Sequence, residues 1–163
     1  LTFTPGVSLV ETNPNTLEIT GIRIVKYPPD YSAYSGGNQR NQLQIFRYAD
    51  VLLMVAEAKM RQGTPDAVGA LTLVNLVRNA RHATPWASVT LVNASNVDDP
   101  NTLLAERGRE LYWESWRRQD LIRFGVFLKP WALKTADDPK YLLFAIPSDQ
   151  LIANPNLKQN SGY

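Results

Sequence analysis

Between residues 43 and 62 apolar or small side chains occupy nearly every position around a helix. Arg47, Asp50 and Glu57 interrupt that pattern at i, i+3 and i+10, close to one face. A helix apolar on most sides packs inside a bundle. Charges on it need partners, because an unpaired buried charge costs several kcal/mol, in order of magnitude. The pattern therefore predicts a second charged helix that returns to meet the first, and Glu106-Arg107-Gly108-Arg109-Glu110 supplies one. Arg107, Arg109 and Arg117 are the expected partners of Arg47, Asp50 and Glu57.

Gly63 is expected to end this first helix as a left-handed residue. Thr64-Pro65-Asp66 then reads as a helix start, with Thr64 as N-cap, Pro65 at N1 and Asp66 in the first turn. Ala67, Ala70, Leu71, Val74 and Val77 form the apolar face of this second helix, which Thr84-Pro85 breaks. The two helices make an antiparallel hairpin like a single tetratricopeptide unit. One unit cannot bury both faces, which predicts stacking on further units or an exposed apolar patch.

Residues 84–100 read as polar linker, and Asp98-Asp99-Pro100 starts a third helix over 101–114. Leu103, Leu104, Leu111 and Tyr112 are its expected core. Gly108 inside it predicts a close approach, since glycine there costs about 1 kcal/mol against alanine. A bend near Ser115 precedes a fourth helical piece over 116–124, ended by Gly125, and Trp113 and Trp116 flank the bend as expected core residues. The arm 1–42 is rich in turn formers, with one extended stretch at 22–26; the tail 126–163 reads as extended, with one turn at 148–152. The expectation is one all-α domain or fragment: loop arm, hairpin (43–83), linker, charged helices (101–125) and tail.

Composition narrows the function classes. With 44% apolar and 20% charged residues in a chain of 163, the protein is globular and long enough for a core. A net charge of +2 and scattered Lys and Arg give no nucleic-acid footprint. The absence of cysteine excludes disulfides and thiolate metal sites. No stretch is long and apolar enough to span a bilayer, and these residues show no signal-peptide pattern, so any targeting segment is expected upstream. The chain begins with leucine rather than methionine, so a processed form or a fragment is expected.

Candidate chemistry is sparse. Glu57, Glu106, Glu110, Glu114 and Asp120 are numerous enough for a glycosidase pair. Arginines at helical spacing, however, point to structural pairs: Glu106 with Arg109, Glu110 with Arg107, and Glu114 with Arg117. His82, the single histidine, sits at a helix end without a triad. Asp98-Asp99 and Asp137-Asp138 lack metal-loop spacing, and no phosphate loop or other cofactor motif occurs. Sugar binding remains, because aromatic rings stack on sugar C–H faces while amides and arginine fix hydroxyls. Tyr31 and Tyr34, with Asn38 and Arg40 in the same polar loop, are the best local patch. Trp86 and Trp131 are a second candidate platform. The competing structural account is that such loop rings pin the loop to the bundle.

Three blocks in order carry a family resemblance. They are Arg47-Tyr48-Ala49-Asp50 with Ala56-Glu57-Ala58; Glu106-Arg107-Gly108-Arg109-Glu110-Leu111 with Arg117 and Asp120-Leu121-Ile122-Arg123-Phe124-Gly125; and Phe144-Ala145-Ile146-Pro147 with Asn154-Pro155 and Leu157-Lys158-Gln159-Asn160-Ser161-Gly162-Tyr163. Together they resemble the C-terminal region of the SusD/RagB family of outer-membrane nutrient-binding lipoproteins. Ala145 and Ser161 stand where the family often has proline, and Ser115 where glycine is usual. The resemblance implies an all-helical fold on tetratricopeptide-like units and a surface lipoprotein, anchored through a lipid upstream of this chain. It implies capture of glycans or peptides for a SusC-type TonB-dependent transporter, without catalysis or cofactor. It also places the principal sugar contacts upstream of this segment. A tetratricopeptide-type protein-interaction module and a helical glycan-active enzyme are the alternatives.

Overall fold

The computed structural model describes residues 26–28, 32 and 44–163. The chain divides into two compact units, Leu1–Leu43 and Gln44–Tyr163. The α-helices of the described residues lie in the second: α1 (Tyr48–Met60), α2 (Ala67–Ala80), α3 (Leu103–Glu110), α4 (Arg117–Arg123) and α5 (Ser148–Ala153), with a 3-10 turn at Pro139–Leu142. No strand occurs among them, only isolated bridges between Thr90 and Thr102 and between Trp131 and Lys134. The fold is all-α. The extended stretch expected at 22–26 lies, but for Lys26, outside the described residues.

The hairpin forms at the expected place, but its turn is built differently. α1 ends at Met60, and Gly63 does not take the left-handed conformation. Asp66, not Thr64, caps α2: its carboxylate accepts from Gly69 N at 2.8 Å, while its other oxygen receives Lys59 Nζ at 2.6 Å. Asp66 thus satisfies an orphan amide and ties the end of α1 to the start of α2. At the opposite end Arg47 and Tyr48 line a cleft with Ala80 and Arg81, as an antiparallel hairpin requires.

Leu53 and Ala56 of α1, Ala70, Val74 and Val77 of α2, and Leu103 of α3 build one core cluster together with Val89. A second cluster holds Val97, Leu104, Leu121, Phe124 and Val126. Consecutive residues of α3, Leu103 and Leu104, therefore anchor different clusters. The outer side of α1 stays exposed at Tyr48, Val51, Met54 and Val55.

α3 is shorter than its polar–apolar pattern suggests. It stops at Glu110, and Trp113 and Ser115 both take left-handed backbone, with φ of 64° and 65°. Such φ values cost an L-residue roughly 1–2 kcal/mol. A glycine at position 115 would remove that cost, and serine does not. As a result Tyr112 and Trp113, expected in the core, are 50% and 74% exposed. Trp116 is half-buried with its ring 5.8 Å from that of Phe46. α4 ends as expected: Gly125 adopts φ 72°, donates to Ile122 O, and is followed by Val126 donating to Leu121 O. This is the two-bond left-handed helix stop.

The tail folds back through side-chain amides rather than a sheet. Gln159 accepts from Ile146 N at 2.8 Å and donates to Ile146 O at 2.9 Å, while Asn160 donates to Phe144 O at 2.7 Å. These bonds tie Gln159-Asn160 to the Phe144–Ile146 block: the amides stand in for a partner strand.

Candidate functional site

The charged residues that interrupt the apolar pattern come together as three ion-pair groups. The deepest runs across α1, α3 and α4. Arg107 donates from Nη1 to Asp50 Oδ1 at 2.9 Å and from Nε to Asp120 Oδ2 at 2.8 Å. All three side chains are at most 2% exposed. Arg123 bonds the other oxygen of Asp120 and both oxygens of Glu57, which also receives Arg61 at 2.7 Å. The run Asp50–Arg107–Asp120–Arg123–Glu57–Arg61 is electrically balanced. Its one orphan among the described residues is Asp50 Oδ2, buried without a hydrogen-bond partner.

In the second group Arg47 meets Glu110 and, at 2.8 Å, Glu114, while Arg81 from the end of α2 bonds Glu110 at 2.7 Å. In the third Glu106 joins Arg78 and Arg109, each at 2.6 Å. Of the expected pairs, Asp50 with Arg107 and Glu106 with Arg109 form. Glu57 instead takes Arg61 and Arg123, and Arg47 takes carboxylates from the α3 end. Glu110 and Glu114 pass over their helical neighbours Arg107 and Arg117 for Arg47. The reason is geometric: Arg107 faces inward between Asp50 and Asp120, and Arg117 donates to Leu104 O at 2.9 Å.

These contacts set the titration. Burial alone raises the Glu57 carboxyl, but hydrogen bonds from Arg123 and Arg61 overcome it and hold the pKa below the ordinary 4.5. Glu110 behaves likewise, with burial outweighed by Arg81 and Arg47. Folded carboxyls with depressed pKa bind fewer protons than unfolded ones, so their contribution is complete above about pH 4.5 and fades as pH falls through the folded values. Melting temperature is expected to stay level from neutral pH to about 5 and then decline. Glu57→Gln should flatten that acid limb; an unchanged slope would show that the group is not linked to folding.

Five carboxylates were candidates for acid–base work, and each holds at least one arginine. A glycosidase needs one carboxylic acid with a raised pKa; Glu57 and Glu110 are shifted the other way. His82 is exposed at the end of α2 with φ 55°. Among the described residues no group of three acidic, His or Cys side chains is placed to hold a metal, and no helix is long and apolar enough to cross a membrane.

Tyr31, Tyr34, Asn38 and Arg40 lie outside the described residues. Trp86 is half-buried against the α1–α2 core, its backbone clamped by both amide atoms of Asn75. The Arg78 and Arg109 guanidiniums lie 4.6 and 5.8 Å from its ring centre. Trp131 packs on the second cluster with Lys134 Nζ 4.3 Å from its ring centre. The structure thus assigns the two tryptophans to different clusters.

A cavity of about 620 Å³ opens instead where α3 meets the left-handed loop. Asp98, Arg109, Tyr112, Trp113 and Arg117 are among its lining residues. The volume falls in the range of ligand pockets. Sequence reasoning missed it because Tyr112 and Trp113 were read as core and the turn, expected near Ser115, already begins at Trp113.

The SusD family's sequence profile matches residues 6–141. Starch-binding protein SusD of Bacteroides thetaiotaomicron is 30% identical over 99% of this chain and 27% of its own length. SusD-like protein P38 of Formosa agariphila is 34% identical over 73% of the chain and 24% of its own length. SusD-like protein P25 of the same species is 31% identical over 77% and 26%. The chain spans about a quarter of the length of these curated relatives. With the profile covering most of the sequence and a relative 30% identical over 99% of it, the chain belongs to the SusD family.

Proposed function

We propose that the protein carrying this chain is a non-catalytic nutrient-binding protein at the outer face of the outer membrane. It captures glycans foremost, and peptides as a second class. It passes them to a SusC-type TonB-dependent transporter and is held to the membrane through a lipid upstream of this segment. Family membership carries this reading, with starch-binding protein SusD among the relatives. The engagement of all five candidate carboxylates by arginines supports the absence of catalysis. Within this reading Tyr31, Tyr34, Asn38 and Arg40 form the proposed ligand loop. Trp86 and Trp131 take a lesser part, since each already holds a cation over its ring.

Calorimetric titration of the intact protein with hexasaccharides of different linkage, followed by chromatography of the recovered sugars, tests the proposal. Saturable binding with every sugar recovered intact is the expected result. Reproducible hydrolysis that disappears in Glu110→Gln would establish an enzyme instead. Absence of binding to every saccharide, with binding to peptide, would shift the substrate class.

A further inference from the structure

The cavity at the end of α3 gathers an exposed indole and polar side chains that keep hydrogen-bonding capacity open among the described residues. Trp113 is 74% exposed although its φ is 64°. For a bulky residue this conformation is a strained outlier, and little burial of the indole offsets it. Tyr112 stands beside it, ring centres 6.5 Å apart and planes tilted by 39°. The two rings form an angled apolar wall.

Polar groups of opposite character face the same cavity. Arg117 makes no ion pair among the described residues; of its five N–H donors one is used, on Leu104 O. Arg117 as a whole reaches the surface, yet burial of its guanidinium holds its pKa below the ordinary arginine value, with Asp120 and Asp98 pulling the other way. Its guanidinium lies over Gly108, where a Cβ would stand 2.8 Å from Nη1 and would push the end of Arg117 aside. Asp98 accepts from Ala132 N through Oδ2 at 2.8 Å. Its other oxygen has no hydrogen-bond partner among the described residues. Arg109 is tethered by Glu106 and by Pro100 O at 2.9 Å.

We propose that this cavity is a subsite for a neutral saccharide, with a sugar face against Trp113 and Tyr112 and its hydroxyls between Asp98 and Arg117. A hydroxyl both donates and accepts, so a carboxylate oxygen and a guanidinium side by side satisfy neighbouring hydroxyls of one ring. A single anion fits less well, because Asp98 would face it. The proposal rests on the nutrient-capture reading and adds a location and a ligand charge to it.

The test is fluorine NMR of the intact protein carrying 5-fluorotryptophan, with the Trp113 resonance assigned by Trp113→Phe. Maltohexaose, cellohexaose, laminarihexaose and xylohexaose are the probes, and calorimetry is run on the same samples. The expected result is a saturable shift of the Trp113 resonance with at least one hexasaccharide. Asp98→Asn and Arg117→Gln should each weaken the affinity read at that resonance about tenfold. A hexasaccharide that binds by calorimetry while none moves the Trp113 resonance would overturn the subsite and leave the nutrient reading standing. Failure of all four to bind would overturn the saccharide subsite and, with it, the preference for glycans over peptides in the nutrient reading. A shift that survives unchanged in both polar variants would overturn the hydroxyl recognition argued here.

Discussion

Arg107→Ala is expected to lower the stability of the folded protein by about 3–5 kcal/mol, which is much of a domain's total. The guanidinium is 1% exposed and sits between two carboxylates that are equally buried. Its removal leaves Asp50 with no hydrogen-bond partner for either oxygen, since Oδ2 has none already. Asp120 suffers less, because Arg123 still holds Oδ1 at 2.9 Å. Asp50→Ala should follow at the lower end of that range, because Arg107 keeps Asp120. The double variant Asp50→Ala with Arg107→Ala should cost clearly less than the sum of the two singles, with a coupling on the order of 1–3 kcal/mol. Urea unfolding of the four proteins measures this. Strict additivity would mean that the two charges are solvated or independently satisfied, against the geometry of the network.

The same network shows how far sequence reasoning reached. Charges inside an apolar helix face demanded partners, and the charged segment at 106–110 was the right place to look. Asp50 and Arg107 were legible because both lie in strongly patterned stretches. Glu110 and Glu114 were assigned to arginines at i±3 because local spacing is all that sequence offers. In the structure their main partner, Arg47, lies 63 and 67 residues away. Arg81, which closes the second group, was invisible as a partner because it follows the last turn of a different helix.

Backbone detail was less accessible than element type. The hairpin was legible from period and turn residues, whereas its cap was placed two residues early, at Thr64. The reach of Asp66 to Gly69 N, combined with Lys59 on its second oxygen, makes Asp66 the cap. The early end of α3 had no periodicity signal at all. Apolar residues at 111–113 continue a helical stripe, yet two left-handed residues turn Trp113 outward and open the cavity. Of the sequence-chosen rings, Trp86 and Trp131 occupy cation-capped positions. The ring with the most exposed indole is the one that hydropathy placed inside.

Leu104→Ala should cost about 2–5 kcal/mol, the range for deleting a buried leucine whose surroundings relax only in part. Leu104 is 1% exposed in the cluster with Leu121, Phe124 and Val126. Its neighbour Leu103, fully buried, belongs to the hairpin cluster. Two consecutive side chains on one short helix thus lock two cores together, and the Arg107 network crosses the same helix to reach α1 and α4. Loosening one cluster displaces the helix that the other needs. The Leu104→Ala loss should therefore appear in the hairpin as well, as a single unfolding transition that far-UV circular dichroism and tryptophan fluorescence report with one midpoint. Leu53→Ala, in the other cluster, should move that shared midpoint in the same direction by a similar amount. If the helical signal of the hairpin instead persists at denaturant concentrations where the fluorescence change is complete, the two clusters unfold separately. In that case α3 would be a connector between them and not the element that joins them.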